Sequence, residues 1–253
     1  LAVILDPAAG RRERLNAVQG LGASLTRAEI TALYQFLKSP PGPREKDLPC
    51  LYALKNDILN ALHNQAPPPR DLVDTLIAIY RDPAQDSVIR DYAIQHLAAC
   101  CEDRAAVNPA ATWRITEVVS EAAHQNSSIA GTALLALHLL PASDAALSQR
   151  EIDQIAIHLT CDSQAQTSAR VTAIQICSER GLRQALPAIE RLAQEADCVA
   201  LRLSAQAALC RLGGSLQPFG LHSTRRFRTE PPQADFQSVR EASERKTPIP
   251  NTA

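Results

Sequence analysis

A chain of 253 residues with 45% hydrophobic side chains is long enough to bury a sizeable core. A formal charge of −1 and a pI near 6.7 leave out the strongly basic footprint of a nucleic-acid binder, and no apolar run approaches the ~20 residues that cross a bilayer. Aromatic residues make up only 4%, with Ala and Leu in their place, as closely packed helix pairs require.

In chain order, Leu1-Ala-Val-Ile-Leu5 reads as the end of a first helix cut short, too brief for a signal peptide. The chain has no Met and starts at Leu1, so its natural N-terminus is expected to be absent. A helix-forming stretch runs from Arg14 to Gly22. Thr26 with Glu29 has the capping-box spacing and opens a helix over about 24–38. Ser39-Pro-Pro-Gly-Pro-Arg44 cannot continue it and serves as a connector. Another stretch covers Lys55 to Leu62, followed by a second connector at Ala66-Pro-Pro-Pro-Arg70. Leu72, Leu76, Ile79 and Tyr80 recur at helical spacing over 71–81, and Arg90 to Ala98 follows. Asn108-Pro109 places a capping side chain before a helix-compatible proline and predicts a helix over 110–124, with Trp113 packed between neighbouring units. Ala130 to Leu137 is the next apolar stretch. Ser148 with Glu151 is a second capping box, opening 148–160. Arg170 to Cys177, a helix over 183–195 and Arg202 to Leu209 complete the pattern. After Gly213-Gly214, residues 215–253 carry Pro-Pro, scattered charge and few apolar residues, and are expected to form a disordered or extended tail containing Arg225-Arg226-Phe227-Arg228.

Alternate stretches are copies of one another. Arg14, Lys55, Arg90, Arg170 and Arg202 each precede, by three residues, a position that is mostly small: Ala17, Ile58, Ala93, Ala173 and Ala205. Ala133 is the equivalent in a copy whose base is replaced by Ala130. These anchors are 41, 35, 40, 40 and 32 residues apart, a period of about 40 that marks stacked helix pairs. Four copies also place an Asp eight residues before the base: Asp6 and Arg14, Asp47 and Lys55, Asp82 and Arg90, Asp162 and Arg170. On a helix, the base, the anchor and the residues one and four beyond it share a face. A charge on that inward face must be satisfied. The expected structural ladder therefore pairs each base, Arg202 included, with the upstream Asp where there is one and with loop carbonyls of the next repeat.

The base, the two apolar positions and the Ala-Leu-Gly ending, clearest in Arg14 to Gly22, resemble the HEAT family of helical repeats, in particular its short bacterial form. Leu186-Pro187-Ala-Ile189 is similar to that family's proline near the start of a first helix. The likeness covers roughly residues 1–214. It implies an all-α fold: a right-handed α-α superhelix, or solenoid, of about six helix-turn-helix repeats of armadillo type. It also implies that the second helices line a concave face. Their outward positions are Asn16, Gln19, Asp57, Asn60, Tyr92, Gln95, Thr132, Leu135, Leu139, Thr172, Gln175 and Glu179. Gln19, Asn60, Gln95 and Gln175 form an amide row suited to hydrogen bonding with peptide. Tyr92, Leu135 and Leu139 interrupt it as an apolar cluster, the composition of a binding anchor.

The expected function is a non-catalytic scaffold for a protein or peptide partner. One rival is an enzyme of a related superhelical kind, excising alkylated bases or attaching tetrapyrrole chromophores. The outward row lacks the Lys, Arg and stacking aromatics a nucleotide would need, so nucleic acid is not the expected partner. The other rival is a structural segment of a longer chain. No cofactor or metal is expected: His158 and Cys161, or His96 and Cys100, supply two ligands at a time where zinc needs three or four. Seven cysteines without a CxxC pair read as small buried hydrophobes in a reducing compartment, which makes the cytoplasm the expected location.

Overall fold

The computed structural model describes residues 1–42, 47–102, 109–140 and 147–214. These form twelve α-helices and one 3-10 turn, with no strand among the described residues. In order they are α1 (Ala2–Leu5), α2 (Arg11–Gln19), α3 (Arg27–Lys38), α4 (Leu48–His63), α5 (Leu72–Arg81), α6 (Ser87–Glu102), α7 (Pro109–Ala123), α8 (Ile129–Leu139), α9 (Gln149–Cys161), α10 (Thr167–Glu179), a 3-10 turn (Arg183–Ala185), α11 (Leu186–Glu195) and α12 (Val199–Leu212). Each even-numbered helix packs on the odd-numbered one before it. Successive even-numbered helices also pack on each other, from α2 on α4 through to α10 on α12. The hydrophobic core runs through these contacts from Ile4 to Leu212. Among the described residues, no helix is long and apolar enough to cross a membrane.

Local sequence explains the helix starts. Thr26 Oγ1 accepts the Glu29 N–H at 3.3 Å while Glu29 accepts the Thr26 N–H at 2.8 Å. Ser148 and Glu151 exchange the same pair of bonds at 3.3 and 2.7 Å. Both capping boxes thus satisfy amides that the first helical turn leaves free. Gly213 ends α12 in the left-handed conformation, at φ 72°. Asn108, the last two residues of the first proline connector (43–44) and the expected tail over 215–253, with its Arg225–Arg228 motif, lie outside the described residues.

Inside the even helices the small anchors let neighbours come close. Ala93, Ala133, Ala173 and Ala205 are fully buried. Gly131 in α8 is the extreme case: a Cβ there would lie 2.8 Å from the Ala169 Cα of α10.

Instead of the expected loop carbonyls of the next repeat, the basic residues reach and close the ends of the odd-numbered helices of their own pairs. Carbonyls in a last turn have no partner within the helix, and a cation there also meets the negative end of the helix dipole. Arg14 Nε donates to the Ile4 carbonyl at 3.0 Å and Arg90 Nε to Tyr80 at 2.7 Å. Arg170 Nη2 donates to Thr160 at 3.4 Å. Lys55 Nζ, 2% exposed, donates to Leu37 at 2.9 Å and Ser39 at 2.7 Å. Ile4, Leu37, Tyr80 and Thr160 occupy the same place, two residues before the C-cap of their helix. Arg202, which has no Asp eight residues upstream, departs from that register and donates to the C-cap carbonyl of Ala196 at 2.9 Å.

The Asp half of the ladder needs correcting. Asp82 Oδ1 accepts the Ala84 N–H at 2.9 Å, and Asp162 Oδ1 accepts the Gln164 N–H at 2.8 Å. Among the described residues, no ion pair joins Asp82 to Arg90 or Asp162 to Arg170. Asp6 Oδ1 makes the same turn bond to the Ala8 N–H at 2.8 Å. Each of these three is a C-cap with extended backbone, which points its carboxylate at the amide two residues on. Asp47 has a different role: it is the N-cap of α4 and accepts the Cys50 N–H at 3.0 Å.

Two further expectations are revised. Trp113 is 57% exposed, because Ile115, Val118, Val119 and Ala122 form the inward face of α7 and Trp113 lies two residues from Ile115, on the far side. Of the cysteines, Cys50, Cys100, Cys101 and Cys177 are buried, but Cys161 and Cys210 are exposed and Cys198 is half-buried.

Candidate binding surface

The outward row of the even helices is a real surface. Gln19, Asn60, Gln95, Leu135 and Gln175, one from each even-numbered helix from α2 to α10, are all exposed. Each sits two residues after its anchor, about 200° around the helix from it and opposite the packed face. Asn16, Glu179 and Leu139 are also exposed, whereas Asp57, Tyr92, Thr132 and Thr172 are half-buried.

The row divides into two regions. At α2 and α4, Gln19, Asp57, Asn60 and Asn64 line a cleft of about 320 Å³ whose floor is Val18, Leu21 and Ala61. Its wall is set by Gln65, which sequence reading missed. This buried side chain accepts the Leu25 N–H at 2.7 Å and donates to Gly22 at 3.0 Å and Ala61 at 2.8 Å. Three such bonds satisfy most of a buried amide's capacity and fix the loop after α2 against α4. Nothing in the periodic pattern distinguishes Gln65 from an ordinary loop glutamine.

At α8 the row turns apolar. Leu135 is 40% exposed and Leu139 63%, so neither is absorbed into a neighbouring helix pair. Tyr92 on α6 is half-buried and packs on the core. Beyond α8, polar side chains are held in place by one another. Gln175 Nε2 donates to Glu179 Oε1 at 2.9 Å, and Glu179 Oε2 lies 3.3 Å from His138 Nε2 of α8. These contacts, led by the Gln175 bond, hold the Glu179 carboxyl below its ordinary range. On α6, Gln95 Nε2 donates to Asp91 Oδ2 at 2.8 Å. The amides are therefore partly pre-oriented, with spare acceptor and donor capacity facing outward.

Polar pairs also join α4 to α6. His96 Nε2 lies 3.0 Å from Asn56 Oδ1, and Cys100 Sγ lies 3.8 Å from His63 Nδ1. Burial pushes the His96 imidazole down to about 4, with neighbouring His63 adding to the effect, so His96 is neutral at physiological pH. Cys177 is pushed up to about 11 by burial, which keeps it a thiol packed against Thr160. Neither is poised for chemistry: one is held as a neutral hydrogen-bonding ring, the other as an unreactive thiol. Among the described residues, no three His, Cys, Asp or Glu side chains come together in a way that could hold a metal ion. No protein-family model and no curated protein matches the chain.

Proposed function

We propose that the helix pairs form a HEAT-like solenoid and that the chain is a non-catalytic scaffold, holding a protein or peptide partner along its second helices. The unbroken succession of contacts from α2 to α12 supports the solenoid reading, since each unit of such a stack touches chiefly its neighbours. The observation that carries the binding reading is the exposure of Leu135 and Leu139 within an otherwise polar, amide-rich row. An apolar side chain standing free among hydrogen-bonding neighbours offers a partner both an anchor and a register. The polar cleft at Gln19 and Asn60 would then hold the partner's backbone, and the α8 leucines one of its apolar side chains.

The test is a displayed random-peptide library panned against the full chain. Selected peptides should carry an apolar anchor, and Leu135→Asp should abolish their binding while the melting temperature barely moves. A marked fall in melting temperature would make Leu135 a packing residue instead. Peptides that bind the variant unchanged would move the interaction elsewhere.

A further inference from the structure

Asp57 lacks what other carboxylates on the even-numbered helices have. Glu13 of α2 accepts the Gly10 N–H, Asp91 of α6 accepts from Gln95, and Glu179 of α10 is held by Gln175 and His138. Asp57 is half-buried in α4, and among the described residues neither a hydrogen-bond donor nor a cation engages its carboxylate. The bases of α2 and α4 are placed elsewhere. Arg11 and Arg12 lie in the first turn of α2, while Arg14 reaches Ile4 and Lys55 reaches Leu37 and Ser39.

The cleft of about 320 Å³ between α2 and α4 has Asp57 as the one ionisable side chain in its lining. Asp57, Asn60 and Asn64 fall at i, i+3 and i+7, one stripe of α4, and Gln19 lines the cleft from α2. The side-chain amides of Gln19, Asn60 and Asn64 make no hydrogen bond among the described residues, so their oxygens are open to a donor. The backbone adds charge of the same sign. α2 ends at Gln19 and α4 at His63, with Gly20 and Asn64 as C-caps, so the negative ends of both helix dipoles lie at this cleft. A fixed negative charge beside two helix C-termini, with no cation of the chain to balance it, favours a positive ligand.

We propose that the cleft is a subsite for one basic side chain of the partner, a Lys ammonium or Arg guanidinium set on Asp57 and bonded to the oxygens of Gln19, Asn60 and Asn64. This rests on the peptide-binding reading above and adds a charge to it. Both cations carry donors only, which the carboxylate and the amide oxygens accept. The volume lies at the small end for ligand sites and suits a single long side chain. Val18, Leu21 and Ala61 on the floor would cover its aliphatic stem.

Two measurements on the full chain separate this subsite from the scaffold reading. In heteronuclear NMR spectra, N-acetyl-arginine methylamide should shift the side-chain amide resonances of Gln19, Asn60 and Asn64 saturably, and the uncharged N-acetyl-citrulline methylamide should not. Asp57→Asn should weaken the arginine probe about tenfold or more, as the loss of a charge-assisted bond implies. The variant should melt as wild type does, since no contact within the chain uses the carboxylate. Peptides panned from a displayed random library on wild type should carry Lys or Arg besides an apolar anchor; on Asp57→Asn they should keep the anchor and lose the base. An equal response to the two probes, or an unchanged dissociation constant in Asp57→Asn, would overturn the subsite whatever the library returns. Peptides with an anchor and no base on wild type would also overturn it, and leave the scaffold standing. An arginine probe that binds through Asp57 while no peptide is selected would make the cleft a site for a free cation, and the scaffold reading would fall with the peptide.

Discussion

The α5–α6 and α7–α8 helix pairs solve the same problem differently. At the end of α5 the Tyr80 carbonyl is left over, and Arg90 reaches back from α6 to take it. At the end of α7 the carbonyls are closed locally. The His124 N–H is shared between Ser120 and Glu121 at 3.3 Å each, Gln125 N–H donates to Ala122 at 3.2 Å, and the His124 ring nitrogen Nδ1 lies 2.8 Å from the Ser120 carbonyl. A base is thus unnecessary in the α7–α8 pair, and the position holds fully buried Ala130 instead. The gap in the repeat pattern coincides with a helix end that closes itself. The basic residue is one of two ways to finish a helix, and the turn that follows decides which is used.

Transplanting the base gives the largest expected effect. Ala130→Arg places a charge on a closed face whose carbonyls are already satisfied, and should destabilise by about 3–5 kcal/mol in chemical denaturation. An unchanged midpoint would mean that α7 has an unmet carbonyl after all. Removing the base where it is used comes next. Arg90→Ala should cost about 1.5–3 kcal/mol, the value of a hydrogen bond from a charged donor. A loss near zero would show that water replaces the guanidinium at Tyr80. The smallest effect separates turn from ion pair. Asp82→Asn keeps an oxygen for the Ala84 N–H and loses only the long 3.3 Å bond that Oδ2 accepts from Gln85 Nε2, so the loss should stay below about 1 kcal/mol. A cost comparable to that of Arg90→Ala would restore the carboxylate–guanidinium pairing.

The helices were largely readable from sequence because their signals are local. Apolar spacing over 71–81 and the boxes at Thr26 and Ser148 correspond to α5, α3 and α9 almost residue for residue. The recurrence of base and anchor identified the inward face. It could not identify the base's partner, because a backbone carbonyl leaves no trace in the sequence, whereas an Asp at fixed spacing invites a pairing that geometry does not make. The surface was legible in the same measure. Periodicity placed Gln19, Asn60, Leu135 and Gln175 on one outward row. Gln65 and Gln85 were invisible, since each acts between units on a carbonyl chosen by packing. Gln85, for instance, donates to Lys38 at 2.6 Å from 47 residues away.

The reach of the helix-ending bases has a consequence for how the chain acquires its structure. Arg14, Arg90 and Arg170 each close onto a carbonyl ten residues back, within a single helix pair. Such contacts form without bringing distant chain together, so the entropy of closing a long loop is avoided. Sequence-local contacts of this kind go with rapid folding. Each pair that carries its own fastener can therefore form that closing contact locally, while lasting stability waits for the neighbouring pair that covers its apolar face.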